Sequence, residues 1–214
     1  MKKTLIIDMD GVLLDTMPLW EHLGTDYLVA QGIQPSLGLR ERLLTMTMPE
    51  AAELFRTEYG MTLPAEKIIA EIDAMAEEFY TVKAPLKPGV AETLPELRRR
   101  GYHCVLATAT DRHLSTAALR RTGMETGFQQ IFTCTELNLS KKDPAFYLAI
   151  LQELKASTGE CVVIEDALHA IQTATSLDIE TIALYDESNR LDWAQIQSIA
   201  THAVLRFDQL LEVL

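Results

Sequence analysis

Two acids two residues apart, Asp8 and Asp10, close the apolar, β-branched run Thr4-Leu5-Ile6-Ile7, and Gly11 follows them. Carboxylates this close repel one another and resist leaving water. A buried strand ending in such a pair is a poor device for stability alone, and a divalent cation between the acids is the natural counterweight. Three later segments carry reactive groups: Thr108-Ala109-Thr110, Ser140-Lys141-Lys142-Asp143-Pro144 and Glu165-Asp166. Together they offer carboxylates, a hydroxyl with neighbouring backbone N–H groups, and an ammonium. That set suits a divalent metal and a phosphoryl group.

The elements that must bring these groups together follow from hydrophobic periodicity. His103–Ala107, Ile131–Cys134, Cys161–Ile164, Thr181–Leu184 and Ala203–Leu205 read as strands with the opening run. Most lack polar alternation and are separated by helical patterns near 90–100, 112–122, 144–154 and 167–176. Such strands form a parallel sheet covered on both faces, an α/β doubly wound fold. Ligands bind such sheets at the carboxyl ends of the strands, where the four reactive segments fall. Pro95 predicts a kink or a late start in the helix near 90–100.

Residues 16–85 break the alternation with helix after helix. Trp20, Leu23, Tyr27 and Ala30 recur at helical spacing after Pro18, which places Trp20 in a helical core. Thr47-Met48-Pro49-Glu50 has the form of a capping box opening a helix to Glu58. Ile68, Ile72, Met75 and Phe79 share a face of a third helix from about Pro64 to Tyr80. This block reads as an α-helical cap domain, 16–85, inserted into a core of residues 1–15 and 86–214.

The chain has 214 residues, 48% of them hydrophobic and 23% charged, with net charge −12. That charge disfavours nucleic acid and anionic membranes as partners. Cys104, Cys134 and Cys161 sit in separate apolar runs and read as buried thiols of a reducing compartment. No apolar run approaches the ~20 residues needed to span a bilayer. Lys2 and Lys3 precede a stretch that Asp8 and Asp10 interrupt too early for a signal peptide, so a cytoplasmic location is expected.

Asp8-Met9-Asp10-Gly11-Val12-Leu13-Leu14-Asp15-Thr16 resembles the D-x-D-G-x-L-x-D-[ST] signature of the haloacid dehalogenase-like hydrolase superfamily, in the subgroup with a helical cap after the first motif. The later segments match the remaining motifs in order, so the resemblance covers essentially the whole chain. It implies a Rossmann-like core and a role for each residue. Asp8 matches the nucleophile that forms an aspartyl-phosphate, and Asp10 the general acid/base, whose carbonyl also binds metal. Thr108, with the N–H of Ala109, matches the group that holds the phosphoryl. Lys141 matches the lysine that neutralises charge on nucleophile and phosphoryl; its spacing to Pro144 fits K-P-x-P with Lys142 in place of the first proline. Asp166 matches a metal ligand, and Glu165 an acid reaching the metal directly or through water. The implied cofactor is Mg²⁺.

Some positions depart from the family pattern. Ala170 and Asp178 stand where motif IV usually has glycine, so Asp178 must tolerate a left-handed backbone. The acid at Asp10 favours phosphoryl chemistry over dehalogenation, since a halide needs no proton. The stretch Thr45–Ala52 lacks the arginine with which related β-phosphoglucomutases grip a sugar phosphate. These features lead to a phosphatase of small phosphorylated metabolites, with a β-phosphoglucomutase-like mutase, or a catalytically idle phospho-ligand-binding regulator, as alternatives. Asp15, Thr16, Met17, Trp20 and residues 45–50 are candidates to face the site by analogy. The oligomeric state is open, and a monomer is consistent with the sequence.

Overall fold

Strands rich in Val, Ile, Leu and Cys, with almost no side chain suited to water, can lie only inside a covered sheet. The computed structural model describes residues 3–43 and 46–214. Six strands, β1 (Thr4–Ile7), β2 (His103–Thr108), β3 (Gln130–Thr133), β4 (Cys161–Glu165), β5 (Glu180–Leu184) and β6 (His202–Val204), pair in parallel in the order β3-β2-β1-β4-β5-β6. Ile7 stands level with Leu106 on one side and Ile164 on the other. The residues following each of these therefore emerge side by side. The order reverses between β1 and β4, and such a switch point opens a crevice at the strands' carboxyl ends.

The chain divides into two compact units, one comprising the chain to Thr16 with Ala84–Leu214, the other Met17–Lys83. Thr16 and Ala84-Pro85, expected with the helical block, fall with the sheet. The reason is local: the Thr16 hydroxyl donates to Asp10 at 2.7 Å, and the Asp15 N–H donates to the Pro85 carbonyl at 3.0 Å.

In the helical unit, α1 (Met17–Ala30), α2 (Leu39–Leu43), α3 (Met48–Glu58) and α4 (Ala65–Glu78) enclose Leu23, Tyr27, Leu28, Phe55, Ile68 and Ile72. Thr47 and Glu50 close a reciprocal capping box at the start of α3. α4 ends earlier than its apolar face suggests and passes into a π-helical turn, Phe79–Lys83. Trp20 is not in this core. It is 41% exposed, its indole N–H donates to the Tyr80 hydroxyl at 2.9 Å, and Leu28 is the buried residue instead. The indole needs a partner for its polar end, and an edge position supplies one. Of the candidate stretch 45–50, Thr45 lies outside the described residues.

In the sheet unit, α5 (Val90–Arg99), α6 (Arg112–Thr122), α7 (Cys134–Leu137), α8 (Pro144–Leu154), α9 (Leu168–Ser176), α10 (Trp193–Ile199) and α11 (Leu210–Val213) complete the layers. Ile6, Val105 and Val163 pack with Phe146, Tyr147 and Ile150 of α8. α5 begins at Val90 and runs through Pro95. The late start is not observed, because Pro95 and Ala91, whose carbonyl loses its intrahelical donor, both lie on the exposed face, where water serves it. Asp178 takes the left-handed conformation its position demands, φ 56°.

The segment returning from the helical unit is fastened by Lys87. Its N–H donates to the Leu13 carbonyl at 2.9 Å, and its ammonium to the Tyr185 carbonyl at 3.1 Å and to Asp186 at 2.6 Å. Burial alone would raise the Asp186 carboxyl, but Lys87 and Ser188 outweigh it and hold it below the usual value of 3.8. A depressed carboxyl stabilises the fold above the ordinary carboxylate range, and that contribution is lost as pH falls through its folded pKa. Lys87→Met leaves Asp186 buried and unpaired, which costs about 3–5 kcal/mol at neutral pH. Urea unfolding will show this deficit at pH 7 and a smaller one toward acid pH, because burial without Lys87 raises the Asp186 carboxyl and its protonation removes the unpaired charge.

Candidate active site

Asp8 follows β1, and its N–H extends the pairing with β4 by donating to the Ile164 carbonyl at 3.0 Å. This sets Asp8 beside Glu165 and Asp166 at the switch point. All three carboxylates are buried, and one oxygen from each lies within 4.8 Å of the others. Lys141, 6% exposed, reaches into the group, 2.5 Å from Asp8 Oδ1 and 2.7 Å from Glu165 Oε1. Lys142 is exposed, so the buried amine is that of Lys141. The loop is set for this: the Asp143 N–H donates to the Ser140 carbonyl, and the Asp143 side chain accepts from Ala145 N–H at 2.9 Å, capping α8.

The oxygens of Glu165 are taken. Oε1 accepts from Lys141, and Oε2 accepts from the N–H groups of Asp166 and Ala167 at 2.9 and 3.0 Å. The side chain thus fixes the turn into α9 and aims the lysine. Asp10 separates from the cluster. Its carboxylate accepts from the hydroxyls of Thr16 at 2.7 Å and Thr110 at 2.6 Å. Its place in the predicted metal set was its carbonyl oxygen, and its side chain is directed to different work. Thr108 is fully buried at the end of β2, its hydroxyl accepting from the Thr110 N–H at 3.0 Å, and Ala109 beside it is exposed. Gly11 lets these elements meet. Its φ is 75°, and a Cβ there would come within 2.7 Å of Asp166 Cγ.

Burial and the charge of Glu165 push the carboxyls of Asp8 and Asp166 well above their usual range, although Lys141 pulls both down. Burial works against the charged form of Lys141, but Asp8 and Glu165 outweigh it and raise its pKa well above the ordinary value. Ionised together, three carboxylates against one ammonium carry two net negative charges in a dry site. One divalent cation balances them, and an all-oxygen donor set suits a hard ion such as Mg²⁺. Cys104 and Cys161 have no part in this, since both are fully buried, which pushes each up to about 11; Cys134, expected to be buried, is only partly so.

Sequence reasoning placed Asp8, Asp10, Thr108, Lys141, Glu165 and Asp166 at one end of the sheet. It named Thr110 in the segment after β2 but gave it no role, whereas its hydroxyl donates to Asp10. It missed Asn189, whose amide donates to Asp166 Oδ2 at 2.7 Å from a turn after β5 that carries no motif.

A family model described as haloacid dehalogenase-like hydrolase matches residues 2–178. The chain belongs to this family. This hydrolase is 26% identical over 180 residues to Phosphorylated carbohydrates phosphatase of Thermotoga maritima, covering 84% of this chain and 83% of that one. It is 25% identical over 183 residues to Hexitol phosphatase B of Escherichia coli K12, covering 84% and 82%. The crystal structure of a candidate beta-phosphoglucomutase from Thermotoga maritima superposes with a TM-score of 0.85 at 24% identity over 99% of this chain and 97% of that one, which shows the shared fold. Among the described residues, no helix is long and apolar enough to cross a membrane.

If the acids hold a divalent cation, Mg²⁺ at about 100 times its Kd stabilises the fold by about 2.7 kcal/mol, a rise in Tm of about 5–10 °C for a chain of this size. Asp166→Asn removes a ligand and a repelling charge together. Differential scanning fluorimetry will find its metal-free Tm equal to or above that of the wild type and its Mg²⁺-induced rise largely gone.

Proposed function

We propose that this hydrolase is a Mg²⁺-dependent phosphatase acting on small phosphorylated metabolites, carbohydrate phosphates foremost, through a phosphoryl group carried on Asp8. The observation that carries the proposal is the division of labour between two acids two residues apart. Asp8 is buried against the Lys141 ammonium, where it can meet a phosphate. Asp10 is held apart by two hydroxyls, where it can exchange protons. A nucleophilic displacement at phosphorus that expels an alkoxide needs both.

An Asp8 carboxylate oxygen attacks phosphorus, the P–O bond to the metabolite breaks, and Asp10 as the carboxylic acid gives its proton to the departing oxygen. Water then attacks phosphorus. Asp10, now a carboxylate, takes its proton, the bond to Asp8 breaks, and inorganic phosphate leaves. Lys141 offsets negative charge on the nucleophile and on the equatorial oxygens, and Glu165 keeps it in place. The Thr108 hydroxyl and the Ala109 N–H bind the phosphoryl oxygens. Asp8, Asp166 and the Asp10 carbonyl would hold Mg²⁺, with Glu165 reaching it through water, and the ion would supply charge stabilisation for the transferring group.

Release to water is favoured over return to the sugar. A mutase must keep a doubly phosphorylated intermediate, which calls for a second cationic grip. Among the described residues of the helical unit the cations are matched by acids: Arg40 by Glu21, Arg42 by Glu58, Arg56 by Glu53, Lys67 by Glu71 and Lys83 by Glu78. The names of the Thermotoga maritima and Escherichia coli relatives point to carbohydrate phosphates.

A panel of sugar, sugar-alcohol and nucleoside monophosphates with Mg²⁺, read by phosphate release, will show turnover on the carbohydrate esters. Asp8→Asn will lower it by about 10³-fold or more, measured at Mg²⁺ high enough to offset the weaker metal binding of the amide. Interconversion of glucose phosphates without net phosphate release contradicts the assignment, as does activity that survives in Asp8→Asn.

A further inference from the structure

We propose that Asn189 is a positioning residue for Asp166: it fixes one carboxylate oxygen so that the rest of the group is presented to the divalent cation. The inference rests on the reading of Asp8 and Asp166 as metal ligands and extends it to a residue outside every motif. Asn189 closes a short 3-10 turn, Glu187–Asn189, after β5. Its Nδ2 donates to Asp166 Oδ2 at 2.7 Å.

The turn is built to aim this amide. Asp186 is buried, and its Oδ1 accepts from the N–H and hydroxyl of Ser188 at 2.9 and 2.6 Å. Its Oδ2 accepts from Lys87 at 2.6 Å, and its carbonyl accepts from the Asn189 N–H at 3.1 Å. The same Lys87 is bonded through its N–H to Leu13 in the turn that follows Asp8 and Asp10. The segment bearing Asn189 and the turn after the nucleophile therefore share one anchor. Asp166 also lies close against Gly11, and Oδ2, the oxygen that Asn189 holds, is the atom a Cβ there would meet first.

The choice of donor matters. A lysine or arginine at this position would hold Asp166 as firmly but would neutralise it, competing with the metal for the same charge. An amide orients the carboxylate through one hydrogen bond and leaves its full negative charge available. Groups that hold a ligand in this way commonly change metal affinity by about 10–100-fold when removed.

Asn189→Leu keeps the approximate volume and removes the donor. Calorimetric titration of the full chain with MgCl₂, without substrate, is expected to show Kd raised about tenfold, while the metal-free Tm falls by only a few degrees, as loss of one hydrogen bond to a buried carboxylate requires. At saturating Mg²⁺, kcat should recover most of its wild-type value, with the loss seen in the Mg²⁺ concentration needed for half-maximal rate. Asn189→Ser, which suits the turn but cannot span to Asp166, should show the same weakening and serves if the leucine variant does not fold. Wild-type Mg²⁺ affinity in either folded variant overturns the proposal alone. Absence of Mg²⁺ binding by the wild-type chain overturns the metal reading and this proposal with it. Mg²⁺ binding by the wild type with no phosphate release on any ester overturns the phosphatase reading and leaves the role of Asn189 to be decided by the titration.

Discussion

Three carboxylates buried within reach of one another, with one ammonium among them, set the terms for the rest of the molecule. Asp8, Glu165 and Asp166 repel each other in a medium that screens them poorly, and burial of each charge is costly on its own. The arrangement persists because other groups offset it. Lys141 bridges Asp8 and Glu165. Two backbone N–H groups at the turn into α9 hold Glu165, and Asn189 holds Asp166. What remains when all three are ionised is a double negative charge, which matches a divalent cation. It also makes the site a poor place for a phosphate dianion unless that cation and Lys141 meet it.

The fold is organised around delivering those charges to one point. Parallel strands bring Asp8 and Glu165 out level with each other because Ile7 and Ile164 are partners in the sheet. The reversal of strand order beside β1 leaves a crevice for them instead of a covering helix. Gly11 admits Asp166 against the turn that follows Asp8 and Asp10. Asp10, a short step further along the chain, is taken up by Thr16 and Thr110, so the two acids of one motif occupy different environments.

Much of this was legible in the sequence, for a physical reason. Strands buried on both faces are runs of apolar residues, and the polar residues that end them stand out, so the sequence places Asp8, Thr108 and Glu165-Asp166 at the carboxyl end of the sheet. The capping box at Thr47 and the helix starting at Pro144 were legible because those residues act locally. Interactions set by tertiary structure were not legible. Trp20 has helical spacing, but the hydrogen bond of its indole to Tyr80 draws it to the edge of its core. Pro95 is tolerated because its face of α5 is wet, a fact of packing that periodicity cannot supply. Thr110, Asn189 and Lys87 act through partners distant in the chain, and no spacing rule connects Lys87 to Asp186 or Asn189 to Asp166. The hold of Glu165 on the Lys141 ammonium beside Asp8 likewise became visible only in the folded chain.

The central claim, that Asp8 is the group this charge balance prepares to attack phosphorus, is tested most directly by trapping. Wild-type protein mixed with a ³²P-labelled sugar phosphate and Mg²⁺, then quenched in acid within milliseconds, should carry label approaching one phosphoryl per chain. The label should be lost on treatment with hydroxylamine and map to the peptide containing Asp8. Label on another residue, or phosphate released at full rate with no label on the protein at any time, would contradict the account.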